Sequence, residues 1–312
     1  MSSTQAPRLD NRLAGGLTIC ATVGVASSTD ALVKLLSGGY PIHQVNTVRC
    51  AVALVLTLGF LMYQRAWGEL IGEKTGFMLV RGFVLAMGNL TFFLSIAAMP
   101  LADAAAIYFT MPFFVAGVVA PFLGERVRLH RWLAIAGGFV GVVIMTRPGQ
   151  GVFEPAALLA LASAFFYAVG QGMARPLGHQ IKTSVTAFWQ GVMYLAVAVL
   201  LALVFGTGAF DSEAHASLGF LTRAWIMPTA FDLSIMVALG FIGALLMPLF
   251  VHAYRMAEAS FIAPFEYTAM FWAVIMGVLM FDEYPDLYTL GGGAVVVAAG
   301  LFMLRMDHKF RA

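Results

Sequence analysis

Two opposite charges lie in an otherwise apolar stretch near the start of the chain, in the segment STDALVKLL at residues 28–36. Asp30 and Lys34 are four residues apart, so on a helix they share one face and can form an ion pair. Arg49 follows in the next apolar stretch at a similar expected depth. One carboxylate and two cations can pin two helices together, or they can gate a passage and bind an anionic group. The residue types leave both interpretations open.

A further carboxylate, Glu266 in the segment PFEYTAM, lies about eight residues into a later apolar stretch, roughly 12 Å deep on a helix. No basic residue lies within four positions of it along the chain. A buried carboxyl group without a nearby cation favours its protonated form. Such a group can couple proton movement to transport or face a cationic substrate. The alternative is a neutral glutamic acid that is hydrogen-bonded across a helix bundle.

Other polar and aromatic side chains fall near the middle of apolar stretches, where polar groups avoid lipid and can line a cavity. Aromatic rings at that depth can stack against a planar molecule, although most rings in a helix bundle pack against other helices. The candidates for substrate binding are Asn89, Tyr108, Thr110, Tyr167, Gln171, Trp189 and Tyr267.

The composition shows which environment these groups occupy. Hydrophobic residues make up 61% of the chain and charged residues 11%, against roughly 45–50% and 25% in soluble domains. The mean hydropathy is +0.87, which indicates an integral membrane protein. A net charge of +2 is too balanced to indicate a nucleic-acid partner. Cys20 and Cys50 are expected at different depths, so no disulfide is predicted.

Ten stretches are apolar and close to the length of about 20 residues that a helix needs to cross a bilayer. Their ranges predict an all-α membrane protein with ten transmembrane helices and no soluble domain. The longest connection, at residues 206–230, has room for an interfacial helix. The ten stretches are 13–36, 43–63, 77–98, 101–123, 130–147, 155–175, 184–205, 231–255, 258–280 and 286–305.

The distribution of lysine and arginine predicts the orientation of these helices. With the N-terminus in the cytoplasm, 14 basic residues fall on the cytoplasmic side and two, Arg147 and Arg223, on the outer side. Cytoplasmic loops carry such an excess, so both termini are predicted to be cytoplasmic. The first apolar stretch lacks a small-residue cleavage site and is not expected to be a signal peptide. We expect a multi-pass protein of a bacterial inner membrane.

The two halves of the chain carry related segments. The segment from Ala98 aligns with the segment from Arg255 at an offset of 157 residues, and one insertion then places Glu125 on Glu283. A glycine-rich stretch follows in each half. Because each half has five stretches, the halves must have opposite orientations, as in the inverted repeats of secondary transporters. The predicted five-helix repeats are residues 1–149 and 150–312.

Three features resemble a known family: the stretch TMPFFVAGVVAPFLGERV that ends at Val127, the glycine-rich fifth stretch that ends in MTRPG, and Arg49 early in the second stretch. In these features the sequence resembles the ten-helix EamA-type members of the drug/metabolite transporter superfamily. The resemblance implies transport of small organic molecules by two EamA-like repeats. The second half departs from the pattern, because FDEYP replaces the Gly-Glu turn and Ala269 stands where Pro112 does.

Together these observations predict a secondary transporter that moves a small organic metabolite by alternating access, with proton coupling as an option. An amino acid, a vitamin or a related planar or cationic compound would fit. An efflux pump with the same fold and an integral-membrane enzyme stay open as alternatives. We predict no enzymatic activity and no cofactor, because neither H-E-x-x-H nor G-x-S-x-G occurs. The expected partners are the substrate, protons and the lipid bilayer, and the expected state is a monomer or weak dimer.

Overall fold

The computed structural model describes residues 9–119, 121, 124, 128–146, 155–174, 177, 181–212, 214–256 and 265–309. Within these residues the regular elements are helices and no strand occurs, so the predicted all-α class is confirmed. The helices are α1 (Leu9–Ser37), α2 (Ile42–Tyr63), α3 (Thr75–Ile96), α4 (Leu101–Tyr108), α5 (Met111–Phe114), α6 (Leu129–Thr146), α7 (Ala156–Gly172), α8 (Thr183–Phe205), α9 (Ala216–Thr222), α10 (Ala230–Met256), α11 (Thr268–Phe281) and α12 (Leu287–Lys309).

Several of these helices are long and apolar enough to cross a membrane. In the described part of the chain there are seven such segments: Leu13–Ser37, Ile42–Tyr63, Thr75–Ile96, Leu101–Val119, Leu129–Thr146, Thr183–Phe205 and Ala230–Phe250. Three shorter apolar helices coincide with the remaining predicted spans: Ala156–Gly172, Thr268–Phe281 and Leu287–Met303. The chain is therefore a helical membrane protein with several spans. The long connection after α8 holds the short helix α9, and both cysteines are free, as predicted.

Prolines mark the starts of three helices. Pro41, Pro100 and Pro155 stand directly before α2, α4 and α7. Proline suits a helix start because its fixed φ fits the first turn and it has no N–H to leave unpaired. The end of α11 is set differently, by Asp282 in the left-handed conformation with φ of 54°. The next N–H, from Glu283, then donates to the Gly277 carbonyl at 3.1 Å, so the chain turns back over the end of its own helix.

The fourth predicted span is not one continuous α-helix. It consists of α4, then α5, and then a π-helical segment at Val115–Val119. Pro112 lies in the first turn of α5, where its missing N–H is tolerated. The Thr110 hydroxyl donates to the Ile107 carbonyl at 2.7 Å and pairs one carbonyl at the break. A membrane span can keep a break of this kind only where protein or a cavity surrounds the backbone groups that it frees.

Helices from before residue 150 pack mainly against helices from after it. Helix α1 packs on α10 and α11, α2 on α8 and α10, and α3 on α7 and α8. Helix α4 packs on α7 and α11, and α6 on α12. In the α6–α12 contact the two backbones approach closely, because a Cβ atom added at Gly141 would lie 2.7 Å from the Gly292 carbonyl oxygen. Small residues allow such backbone approach in membrane bundles.

Hydrogen bonds between connections define two ends of the bundle. At one end, Arg223 Nη1 donates to the Ser37 carbonyl at 2.9 Å, and the Tyr40 hydroxyl donates to Asp232 Oδ2 at 2.7 Å. At the other end, the Trp189 indole donates to the Leu70 carbonyl at 2.9 Å. We call the first the closed end and the second the open end, because the cavity described below opens at the second end. The closed end holds residues 37–41, 97–100, 223–229 and 282–286, and the open end holds residues 64–74 and 181–183.

Candidate functional site

A cavity of about 1390 Å³ lies among helices α1, α2, α3, α8 and α10. At its inner end it is lined by Asp30, Arg49 and Asn89. Toward the open end its lining includes the exposed residues Gln64, Lys182 and His252, so the cavity opens there. Its volume exceeds the 300–1,000 Å³ or so of most small-molecule sites. The space can therefore hold a metabolite larger than a single amino acid.

Arg49 is the main cation at the inner end, and its side chain is held from two sides. It is 9% exposed, and its Nη2 donates to Asn89 Oδ1 at 3.0 Å. The guanidinium also lies 4.7 Å from the centroid of the Phe93 ring, in cation–π geometry. A guanidinium held in one position is suited to bind a carboxylate through two parallel hydrogen bonds.

Asp30 supplies the opposite charge. It is half-buried on α1, lines the cavity and lies within electrostatic range of Arg49. In the described part of the chain no direct ion pair joins the two side chains. The cavity therefore ends in a separated carboxylate and guanidinium. Such a pair can accept the ammonium and the carboxylate of one zwitterionic molecule.

A row of polar side chains extends from Asn89 along the wall of the cavity. Tyr167 lies near both Asn89 and Tyr194. Gln190 Nε2 donates to the Tyr194 hydroxyl at 3.2 Å. Tyr108 packs edge-on against Tyr167, with ring centroids 5.4 Å apart. Asn89, Tyr194 and Gln190 line the cavity, whereas Tyr108 and Tyr167 support the lining residues from behind.

Glu266 and Tyr267 lie in an aromatic cluster next to the cavity. The Tyr267 ring packs on Phe109 with centroids 4.9 Å apart. Glu266 is half-buried and within electrostatic range of Tyr108 and Tyr267. Neither Glu266 nor Tyr267 is among the described residues that line the cavity. Tyr108 is also within electrostatic range of Asp30, so it lies between Glu266 and a residue that lines the cavity.

Lys34 has a different partner from the one that the sequence suggested. The spacing of Asp30 and Lys34 allowed an ion pair within α1, but Lys34 forms its ion pair with Glu283. The Lys34 ammonium also donates to the Met99 carbonyl at 2.8 Å. Lys34 pairs with Glu283 because it lies one turn beyond Asp30, where the ends of α4 and α11 meet α1. Lys34 is therefore at the closed end and not among the described residues that line the cavity.

Three other predicted binding residues lie away from the cavity. Thr110 is 0% exposed and its hydroxyl is used within its own turn. Gln171 is exposed on the surface near the end of α7. Trp189 packs against Phe188 and holds the connection at Leu70. Their middle positions in apolar stretches gave the depth of these residues but not the face of the helix on which each one lies.

Three residues that the sequence analysis did not single out as candidates make contacts in the cavity or at the closed end. Tyr194 and Ser184 line the cavity, and the Ser184 hydroxyl donates to Gln64 Oε1 at 2.6 Å. Glu283 contacts both α1 and α4 at the closed end. The four-residue spacing of Gln190 and Tyr194 is a signal for a shared polar face. For Glu283, the corresponding signal is its alignment with Glu125 between the two halves of the sequence.

Comparison with known proteins identifies the class. Residues 13–147 match the model of the EamA-like transporter family, which confirms the resemblance seen in the sequence. A crystal structure with 16% sequence identity superposes with a TM-score of 0.62 and covers 96% of this chain and 98% of that one. That likeness supports the fold alone.

Curated relatives extend over most of the chain. An S-adenosylmethionine uptake transporter of Rickettsia bellii is 25% identical and covers 91% of each chain. A pseudopaline exporter of Pseudomonas aeruginosa is 28% identical over 89% of this chain and 92% of its own. A riboflavin transporter of Rhizobium johnstonii is 28% identical over 74% of this chain and 70% of its own. The protein is thus similar to membrane transporters of small molecules, and it is a transporter rather than an enzyme.

Proposed function

We propose that this EamA-like transporter carries a small zwitterionic metabolite with an α-amino carboxylate group. The observation that supports the proposal is the separated pair of Arg49 and Asp30 at the inner end of the cavity. Arg49 would bind the carboxylate of the substrate, and Asp30 would bind its ammonium group. Each bond is charge-assisted and therefore stronger than a bond between neutral groups.

The remaining volume accounts for the rest of such a molecule. A cavity of about 1390 Å³ leaves room beside the amino acid group for a planar ring system. Tyr194 and Phe60 line it and offer ring faces. S-adenosylmethionine, which the Rickettsia relative takes up according to its name, combines an α-amino carboxylate with a cation and a purine. We therefore propose molecules of this kind as the first candidates, and free amino acids as the second.

We further propose that the chain consists of two inverted five-helix repeats, residues 1–149 and 150–312. The packing supports this arrangement. If α1, α2, α3, α4 and α6 correspond to α7, α8, α10, α11 and α12, exchanging the halves converts the α1–α10 contact into the α7–α3 contact, and both occur. The same exchange relates α2–α10 to α8–α3 and α1–α11 to α7–α4. Two related halves can rock about the cavity between them and expose it to each side in turn.

The complete topology follows as part of the same proposal. Ten spans, with both termini in the cytoplasm, place the open end of the cavity on the cytoplasmic side of the inner membrane. The described connections support this proposal, because residues 37–41, 97–100 and 282–286 lie at the closed end and residues 64–74 at the open end. Proton coupling through Glu266 is the proposed source of energy for transport against a gradient.

The experiment that tests the substrate class is ligand binding to the purified protein in detergent, measured by thermal stabilisation and titration calorimetry. The ligand set compares S-adenosylmethionine and methionine with decarboxylated S-adenosylmethionine and with adenosine, which lacks the amino acid group. We expect stabilisation only by molecules that keep both the ammonium and the carboxylate groups. Binding of adenosine or riboflavin with equal strength would overturn the zwitterion assignment in favour of a transporter for planar compounds.

Two variants test whether Arg49 and Asp30 make the proposed contacts with the substrate. Arg49→Lys keeps the charge but loses the planar fork, and it should weaken binding about tenfold, or about 1.4 kcal/mol. Asp30→Asn should weaken binding of S-adenosylmethionine by a similar factor, about tenfold. Arg65→Lys, on the exposed connection after α2, serves as the matched control and should bind normally. Unchanged binding in both cavity variants would remove this pair from the site.

A further inference from the structure

Glu283 joins three separate parts of the molecule at the closed end. One carboxylate oxygen, Oε1, forms the ion pair with the Lys34 ammonium on α1. The other, Oε2, accepts a hydrogen bond of 3.0 Å from the backbone N–H of Leu101, at the start of α4. The residue itself follows the end of α11. A single side chain thus ties a helix end of the second half to two helix ends of the first half.

The surrounding structure holds both charges in place. Lys34 also donates to the Met99 carbonyl at 2.8 Å and lies 5.1 Å from the centroid of the Phe281 ring. The Lys34 side chain is 10% exposed and that of Glu283 is 21% exposed. The N-terminus of α4 carries a positive partial charge that favours a carboxylate at this position. Both charges therefore have polar partners in this conformation, although the contact lies close to the surface.

The location of this contact relative to the cavity suggests what it does. The cavity opens toward Gln64 and Lys182 and ends at Asp30. Lys34 lies one turn further along α1 than Asp30, about 6 Å nearer the closed end. The contact therefore seals the side of the substrate cavity opposite to its opening. To expose the cavity at the closed end, the end of α11 must separate from α1 and α4, and this requires both bonds of Glu283 to break.

We infer that Glu283 and Lys34 form a latch that closes one side of the transport pathway and opens in each cycle. The inference rests on alternating access as proposed above, but it does not depend on the identity of the substrate. An ion pair is suited to this role because separated charges regain hydration, so the net free energy of the closed contact is small compared with its Coulomb attraction. A hydrophobic seal of the same extent would not regain interactions with water on opening.

The test measures from which side of the membrane a thiol in the cavity can be labelled. In a background with Cys20→Ala and Cys50→Ala, an Ala26→Cys change places a thiol in the cavity lining. A membrane-impermeant maleimide is applied to cells and, separately, to inside-out vesicles. Sidedness is calibrated with single thiols introduced by Ala214→Cys, beyond the closed end, and Gly68→Cys at the open end, both at exposed positions.

Breaking the latch should shift the labelling toward the closed end. With Glu283→Gln, we expect labelling at position 26 from the closed-end side to become about tenfold faster, and labelling from the other side to become slower. Lys34→Gln should act in the same direction and serves as the second variant if Glu283→Gln does not fold. The charge exchange Lys34→Glu with Glu283→Lys should restore slow labelling from the closed-end side.

A matched control breaks a different ion pair. Glu69→Gln removes the exposed ion pair at the open end, where Glu69 Oε1 lies 2.6 Å from Lys182 Nζ. It should leave the labelling pattern unchanged. The latch is overturned if folded Glu283→Gln and Lys34→Gln proteins label like the parent from both sides. Because the readout needs no substrate, that result would leave the zwitterion assignment intact, and failure of substrate binding would leave the latch intact.

Discussion

Arg49 on α2 and Asn89 on α3 are joined by a hydrogen bond of 3.0 Å at the inner end of the cavity. Asn89 in turn lies near Tyr167 on α7, so the guanidinium is held in a region where three helices meet. A binding group that is already held in position loses little conformational freedom when a ligand arrives. This arrangement distinguishes a prepared anion-binding group from a cation that merely offsets a nearby carboxylate.

Replacing Asn89 with aspartate should block this group without changing its shape. In Asn89→Asp, the new carboxylate would occupy the side of Arg49 that now bonds to the amide, and it would compete with a substrate carboxylate. We expect substrate binding to weaken about tenfold, with thermal stability of the free protein equal or higher. Calorimetric titration and a melting curve measure the two effects. A variant that binds as tightly as the parent would show that Arg49 does not receive the carboxylate.

Replacing Glu266 with glutamine tests coupling separately from binding. Glu266 lies outside the cavity lining but within electrostatic range of Tyr108. We expect Glu266→Gln to bind substrate within about twofold of the parent and to lose accumulation against a gradient in proteoliposomes. Downhill exchange should continue. Glu73→Gln, at an exposed position on the connection before α3, is the control. Full uphill transport by the Glu266 variant would exclude this carboxyl group as the coupling site.

Close packing of α6 on α12 makes a sharp prediction about stability. A Cβ atom at position 141 would lie 2.7 Å from a backbone oxygen, which cannot move aside as a side chain can. Gly141→Ala should therefore destabilise the protein by about 1–3 kcal/mol. Gly59→Ala, at a position with no atom within 4 Å of the added Cβ, should be neutral or slightly stabilising. Melting curves in detergent of the two variants should differ, and equal curves would contradict the close approach.

A substitution at Trp189 tests whether this side chain binds substrate, as its residue type suggested, or stabilises the fold, as its position indicates. Tryptophan at the middle of an apolar stretch is a reasonable candidate for stacking on a substrate, but its indole N–H bonds to Leu70 instead. Trp189→Phe should lower the free energy of unfolding by about 1 kcal/mol, which is the net contribution of a typical hydrogen bond. Binding affinity should stay within about twofold. A large loss of affinity with unchanged stability would return Trp189 to the binding site.

The sequence by itself determined the class of this protein, the location of its helices and its relation to transporters. Apolar length is a local property, since a helix needs enough hydrophobic residues to cross the bilayer wherever its neighbours lie. Prolines and glycines also act locally on the backbone, and they marked the breaks between these helices. The EamA-like pattern around Pro112 gave the resemblance to that family, and the depths of Arg49 and Asn89 followed from counting along each stretch.

Only the tertiary structure decided which charged groups meet. Along the chain, Lys34 had one plausible partner, Asp30, because the helical repeat places them on one face. In the folded protein it pairs with Glu283, 249 residues away. The rotation of each helix about its axis decides this choice, and that rotation is set by packing against several neighbours at once. The same cause separates Asn89, which lines the cavity, from Gln171, which is exposed on the surface.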